Sequence, residues 1–355
     1  NLLVDAATQK SMDQQRIDNL ERENDTLMEQ FVEEAKKRKH LHNLIEDLKG
    51  NIRVVIRMRP LLKNERPSHV SNGKVEVKDD TTVGVTSSAT GLKLFDFYRA
   101  FSDVSSQGEV FEDIRPLLQS AIDGFNICFM AYGQTGTGKT YTIYGEDGEK
   151  NKGILPRACE DLFYHLKRMG VQDEDPQKYS TSDNCTYTVK CSMVELYVDS
   201  LYDLLDTKNK DKKIEIRQNP SGGTFLQGVQ ELSVNSAEEL LSILNQGNKL
   251  RQVHKTDMND RSSRSHTIFT VSIYISMSSQ TKSYATRSKI LFVDLAGSER
   301  VSKSNSVGER FKEAQHINKS LSCLGDVIAA LSTKSQHVPY RNSKLTLLLQ
   351  DCLGG

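Results

Sequence analysis

Residues 133–140 read Gly-Gln-Thr-Gly-Thr-Gly-Lys-Thr, a full match to the phosphate-loop pattern G-x-x-x-x-G-K-[ST]. Just upstream, Ile127, Cys128, Phe129, Met130 and Ala131 form the short apolar run expected of a buried parallel strand. Gly133, Gly136 and Gly138 let the backbone curl, so that successive N–H groups, those of Gln134, Thr135 and Thr137 included, turn inward toward phosphate oxygens. Lys139 can reach the β- and γ-phosphates. The Thr140 hydroxyl stands where Mg²⁺ would sit, at the start of a helix whose positive end faces the anion. A glycine-rich turn with an incidental lysine is the rival reading, and the strand ahead of the loop weighs against it. The stretch predicts a nucleoside triphosphate site that uses Mg²⁺.

The surrounding composition permits this. The chain has 355 residues, 37% hydrophobic and 26% charged, and a formal net charge of zero, enough for one large α/β domain and an accessory segment. Balanced charge gives no support to bulk binding of nucleic acid or membrane, so a charged partner must meet a local patch. No apolar run has the length of a membrane span. The six cysteines include no Cys-x-x-Cys pair, and no Cys/His cluster has zinc spacing. Reduced thiols are expected, and no metal beyond nucleotide-bound Mg²⁺.

Two regimes divide the chain. Residues 1–49 contain neither Gly nor Pro and carry a seven-residue repeat: Ile17, Asn24, Phe31, Arg38 and Ile45 in one register, Leu20, Leu27, Glu34, Leu41 and Leu48 in the other. Seven of these ten are apolar, the pattern of a coiled-coil seam that predicts a dimer partner through 17–48. Asn24 would fix register, while Glu34 and Arg38 would weaken the middle. A solvated single helix with one apolar stripe is the alternative. Gly50-Asn51 ends this helix.

From residue 52 onward, strand-like and helix-like patterns alternate. Strands are expected at 52–58, 186–197, 267–276 and 288–293, and helices at 108–122, after Lys139, and at 156–169, 238–246 and 310–331. Polar, turn-rich chain is expected over 62–106, and a surface loop over 172–184. This alternation around a phosphate loop predicts a three-layer α/β domain of the phosphate-loop NTPase class, with a mostly parallel central sheet.

Two further segments could sense the γ-phosphate. Asn259-Asp260-Arg261-Ser262-Ser263-Arg264-Ser265-His266 gathers hydroxyls around an arginine just before a strand, and its rival reading is a solvated serine-rich loop. Asp294-Leu295-Ala296-Gly297-Ser298-Glu299-Arg300 follows an apolar strand directly. Asp294 could hold Mg²⁺ through water, and Gly297 could offer an unobstructed N–H to the γ-phosphate. Arg264 and Glu299 carry opposite charges and could close the site as an ion pair.

Taken together these residues resemble a kinesin motor domain, from about residue 50 to 355. The motifs include Arg57-Met58-Arg59-Pro60, Ala131-Tyr132, Thr140-Tyr141-Thr142, residues 262–266, residues 294–300, Ile317-Asn318-Lys319-Ser320-Leu321, the run from Val338 to Leu345, and the closing Asp351-Cys352-Leu353-Gly354-Gly355. The resemblance implies that Arg57, Arg59, Pro60 and Tyr141 surround the adenine. It implies that Ser265 joins Thr140 and Asp294 around Mg²⁺, and that Ser262 and Ser263 position water. Gly297 would read the γ-phosphate of ATP, and Arg264–Glu299 would form the gate. It further implies that a helix around Asn318 and Lys319, with Arg341 and Lys344 beyond it, faces tubulin. The stretch from Glu195 to Leu205 would supply a second tubulin contact, although its apolar members suit core packing.

The implied activity is microtubule-stimulated ATP hydrolysis in the cytoplasm, on microtubules including those of the spindle, with neither nucleic acid nor membrane as partner. A coil ahead of the motor is similar to the branch with C-terminal motors that walk toward minus ends, where the coil acts as lever. Residues 195–205 and 319–345 also resemble calmodulin-binding members. Leu347 departs from the basic residue found at that place in many plus-end members. The family pattern continues past Gly355 into a further core strand and helix, so a fragment of low stability is expected. A GTPase-type switch would need Asn-Lys-x-Asp after an apolar strand, and Asn209-Lys210-Asp211-Lys212 has the wrong spacing. A non-catalytic microtubule crosslinker is the remaining alternative.

Overall fold

The computed structural model describes residues 2–50, 52–62, 73–87, 89–169, 184–206, 212–219, 223–256, 263–278, 283–299 and 309–354. Ser262 and the expected loop at 172–183 lie outside these residues.

The seven-residue repeat folds as one helix, α1 (Leu2–Lys49). Gly50 ends it with φ of 84°, a left-handed conformation that glycine adopts without a Cβ penalty. Ile17, Leu20, Leu27, Phe31, Leu41 and Ile45 are all exposed along it.

The core follows. Its elements in chain order are β1 (Val55–Arg57), β2 (Gly73–Val77), β3 (Thr82–Ser87), β4 (Gly91–Asp96), β5 (Arg99–Phe101), α2 (Gln107–Ile114), α3 (Pro116–Ile122), β6 (Ile127–Ala131), α4 (Lys139–Ile143), α5 (Ile154–Met169), β7 (Asn184–Tyr197), β8 (Ser200–Asp203), β9 (Glu215–Gln218), β10 (Thr224–Gln227), β11 (Leu232–Val234), α6 (Ala237–Thr256), β12 (His266–Ser278), β13 (Ser283–Asp294), α7 (Glu309–Ser332) and α8 (Lys344–Leu349).

The chain expected to be turn-rich over 62–106 also holds strands β2 to β5, and α6 and β13 are longer than expected. Two other boundaries differ for local reasons. The helix expected over 108–122 is two helices, because Pro116 lacks an N–H and starts a new helix at its first position. Its first half begins in a capping box, with the Ser106 hydroxyl on the Glu109 amide and the Glu109 carboxylate on the Ser106 amide. The strand expected at 52–58 is regular only over β1, which pairs in parallel with β5.

The central sheet runs β11-β7-β12-β13-β6, with β8 also on β7. It is mixed, and the expectation of a mostly parallel sheet is corrected here. Among the described residues of this sheet, only β6 and β13 are parallel. β12 and β13 form one long hairpin, Thr267 opposite Asp294 at its base and Ser278 opposite Ser283 at its tip. A connection that short forces antiparallel pairing.

Apolar clusters cover both faces of the sheet. One joins Leu118, Leu155, Leu162 and Phe163 to Met193, Phe269 and Phe292. The other joins Val194, Ile268 and Val293 to Leu321, Val327, Leu345 and Leu349. Three layers result, as expected. Parallel pairing of β6 with β13 puts Ala131 beside Asp294, so the phosphate loop and the 294–299 segment leave the sheet at the same edge.

Candidate nucleotide site

The phosphate loop has the backbone its glycines suggest. Gly133, Gly136 and Gly138 have φ of 154°, 79° and 90°. A Cβ on Gly133 would come within 2.7 Å of the Thr137 hydroxyl, which donates to the Gln134 carbonyl at 2.8 Å. The Lys139 ammonium donates to the carbonyls of Gly133 and Gln134, both at 2.9 Å, so it lies folded along the loop. Burial lowers its pKa, while Asp294 and Glu299 pull it back up. Gln134, Thr135, Gly136 and Thr137 are exposed.

The segment after β13 is stitched to this loop. The Leu295 amide donates to the Ala131 carbonyl and the Ser298 amide to that of Gly133. The Thr140 hydroxyl donates to Asp294 Oδ2 at 2.8 Å, so two of the expected metal residues meet. The Asp294 side chain is 2% exposed, and its Oδ2 also accepts from Arg251 of α6 at 3.0 Å. Its Oδ1 is buried without a hydrogen-bond partner among the described residues. A buried, orphaned carboxylate oxygen beside a hydroxyl is an all-oxygen donor set of the kind Mg²⁺ prefers, so these residues fit the ion.

At three expected contacts the structure shows other partners. Arg264 and Glu299 do not pair: Arg264 donates to Glu313 of α7 at 3.0 Å. Glu299 accepts from the Thr135 amide at 2.9 Å and hydroxyl at 2.7 Å. The physical reason is burial. Glu313 is 9% exposed and its charge requires a cation, whereas neutral donors suffice for the more solvated Glu299. Burial works to raise the Glu299 pKa, but the Thr135 hydroxyl and amide, its own amide and Lys139 together hold it below the ordinary range.

Ser265 is paired with Glu195, while Thr140 is paired with Asp294. Its fully buried hydroxyl donates to Glu195 at 2.6 Å, because neither a buried hydroxyl nor a buried carboxylate can go without a partner. The Gly297 amide is not open either, since it donates to the Ser263 carbonyl at 2.8 Å. A Cβ at Gly297 would press on the Glu299 carboxylate and the Thr135 hydroxyl, so an added methyl would have to push both aside.

On the base side, Arg57 lies over the Tyr141 ring at 5.4 Å and donates to Gln107 Oε1 at 2.8 Å and to Thr142 at 3.0 Å. Burial lowers the Arg57 pKa, with Tyr141 opposing. Arg59 is half-buried and Pro60 exposed. Gln107, 3% exposed, also donates to the Tyr141 carbonyl at 2.8 Å.

Gln107, Arg251 and Glu313 escaped the sequence reading, and Glu195 was read there as part of a tubulin contact. The capping box at Ser106 could have drawn attention to Gln107, while Arg251 and Glu313 carry no local signal.

Farther out, Lys319, Arg341 and Lys344 are exposed, Asn318 is half-buried, and Lys344 donates to the Asp199 carbonyl in the β7–β8 turn. Glu195, Leu196, Leu204 and Leu205 are buried, as core packing requires.

Comparisons with known proteins agree with this geometry. The family model "Kinesin motor domain" matches residues 57–355. Kinesin-like protein KIN-14E of Arabidopsis thaliana is 47% identical over 326 residues, covering 92% of this chain and 24% of that protein. Kinesin-like protein KIN-14I of Oryza sativa subsp. japonica is also 47% identical over 326 residues, covering 92% and 25%. The chain thus spans about a quarter of the length of these relatives.

Among solved structures, the C-terminal motor and motor homology domain of Kar3Vik1, fused to a synthetic heterodimeric coiled coil, aligns with a TM-score of 0.78 and 34% identity. That alignment covers 99% of this chain and 89% of the other. The motor domain of the Kar3-like kinesin from Ashbya gossypii aligns at 0.67 and 35% identity, covering 86% and 90%.

Proposed function

The chain belongs to the kinesin motor domain family, and from that membership we propose that it is a microtubule-stimulated ATPase that moves toward minus ends, with α1 as its lever. One observation carries this reading. The phosphate loop, the chain before β12 and the chain after β13 meet within hydrogen-bond reach, through Thr140–Asp294, Thr135–Glu299 and Ser263–Gly297.

The loop amides and Lys139 hold the β- and γ-phosphates of ATP, and Arg57 with Tyr141 packs on the base. Thr140 and Asp294 would hold Mg²⁺, which would supply neutralisation of the charge developing on the phosphates. Ser262 and Ser263 position the water that adds to the γ-phosphorus as the bond to the bridging oxygen breaks, releasing phosphate and ADP. Closure would involve exchanges of partner: Gly297 from the Ser263 carbonyl to phosphate, Arg264 from Glu313 to Glu299 as Glu299 leaves Thr135, and Ser265 from Glu195 toward the metal-holding residues. Phosphate departure reverses them.

Tubulin's acidic outer surface is met by Lys319, Arg341 and Lys344 beside Asn318, so binding weakens with salt. The seam through 17–48 pairs with a second coil. The protein acts in the cytoplasm on microtubules.

ATP turnover with and without microtubules tests the reading. Stimulation supports it, a preference for GTP points to a nucleotide switch, and binding without turnover points to a crosslinker. Gliding of polarity-marked microtubules over the full-length protein tests direction, and plus-end movement would refute the lever assignment.

A further inference from the structure

His266, the first residue of β12, is 3% exposed and joins two parts of the molecule that the chain connects only by another route. Its Nδ1 accepts from the Ala296 amide at 3.1 Å. A ring nitrogen that accepts carries no proton, so in the neutral imidazole Nε2 is the donor. Nε2 lies 2.8 Å from the Ser320 hydroxyl of α7, and Ser320 donates onward to the Ile317 carbonyl at 2.7 Å. Burial and the nearby Arg251 hold the imidazole neutral, with its pKa lowered to about 4. Every hydrogen in the chain Ala296→His266→Ser320→Ile317 therefore has one direction, and Ala296 and Ser320 are themselves buried.

Position gives this chain its meaning. Ala296 directly precedes Gly297, whose amide sits on the Ser263 carbonyl, so two bonds fasten the end of β13 to the chain around the start of β12. Ile317 and Ser320 flank the half-buried Asn318 and the exposed Lys319 on α7. A shift of 296–297 that takes Gly297 off Ser263 also pulls the Ala296 amide from His266. Buried polar groups tolerate no half-made network, so α7 must follow or the network must break.

We propose that His266 and Ser320 are positioning residues that transmit the place of the 296–297 segment to α7 through this buried hydrogen-bond chain, coupling nucleotide state to grip on the microtubule. The proposal rests on the motor reading given above.

The test uses the full-length protein and compares ADP release, followed with a fluorescent ADP, at saturating microtubules and without them. The ratio of the two rates is the readout. Ser320→Ala leaves the His266 donor unmatched and should lower the ratio about tenfold. Ser320→Thr keeps the hydroxyl and should retain most of it. His266→Asn keeps an acceptor for Ala296 but cannot reach Ser320, and should fall with Ser320→Ala.

A Ser320→Ala ratio equal to wild type overturns the relay, and so does a Ser320→Thr ratio as low as that of Ser320→Ala, which would mark mere packing. Hydrogen exchange at the Ala296 amide in the wild-type protein guards against misfolded variants. It should change when microtubules bind, and an unchanged rate also overturns the relay. A wild-type ratio of one would instead overturn the motor reading itself, and the relay with it.

Discussion

The guanidinium of Arg38 on α1 pairs with the carboxylate of Asp123 in the turn between α3 and β6, tying the leading helix to the motor core. The Asp123 side chain is 5% exposed, that of Arg38 53%. Arg38 occupies a seam position of the heptad repeat, where an apolar residue would be the stabilising choice. In the proposed coil this side chain could not both face a partner helix and reach Asp123.

A double-mutant cycle of Arg38→Ala and Asp123→Asn, read by urea unfolding, should give a coupling of about 1 kcal/mol, as for a partly solvated ion pair. Additive effects of the two changes would show that the contact holds nothing.

Gly297→Ala should leave nucleotide affinity near wild type and abolish microtubule stimulation. The added Cβ crowds the Glu299 carboxylate and the Thr135 hydroxyl and stands beside the amide that must reach the γ-phosphate. Fluorescent-nucleotide titration and steady-state turnover separate the two effects. Retained stimulation would remove Gly297 from the sensing role.

The phosphate loop was legible in the sequence because its geometry is local: each glycine's backbone angle and the hydroxyl of Thr140 follow from a few neighbouring residues. The partners of Arg264, Ser265 and Glu299 were not, because each chose among charges and hydroxyls distant in sequence. Ser265 met Glu195 on β7, and Glu299 met Thr135. Alternation of apolar residues located β7, β12 and β13, yet alternation carries no direction, so a mostly parallel sheet was expected where β12 and β13 form an antiparallel hairpin. Gln107 and Arg251 lie outside the helices expected at 108–122 and 238–246, and only packing turns them inward.

Glu313 competes with Glu299 for Arg264, so Glu313→Gln should favour the closed pair and raise basal turnover. Losing an ion pair worth about 1 kcal/mol would give roughly a fivefold increase. Single-turnover hydrolysis without microtubules is the measurement. A decrease matching that of Arg264→Ala would mean that Glu313 supports closure instead of opposing it.

Stability should fall on acidification through the His266 imidazole. Its folded pKa of about 4 lies below the ordinary value of 6.5, so the unfolded chain binds the extra proton first. The contribution is complete above pH 6.5 and is lost as pH falls toward 4, amounting to about 2 kcal/mol by pH 5. Urea midpoints at pH 7 and pH 5 should differ accordingly, and His266→Gln should flatten the difference. Equal slopes for the variant and wild type would locate the acid sensitivity elsewhere.

Gln107 should govern affinity for ATP without governing the chemical step. Its side chain is buried and spends its carbonyl on Arg57 and its amide on the Tyr141 and Asn151 carbonyls, so it sets the spacing of the Arg57–Tyr141 stack. Leucine in its place fills similar volume but leaves those groups unpaired, at a cost of about 1–2 kcal/mol. Gln107→Leu should therefore raise KM for ATP roughly tenfold while kcat stays within about twofold, the pattern of lost uniform binding. If kcat fell as steeply as kcat/KM, the stack would be contributing to the transition state, and its role would extend beyond holding the base.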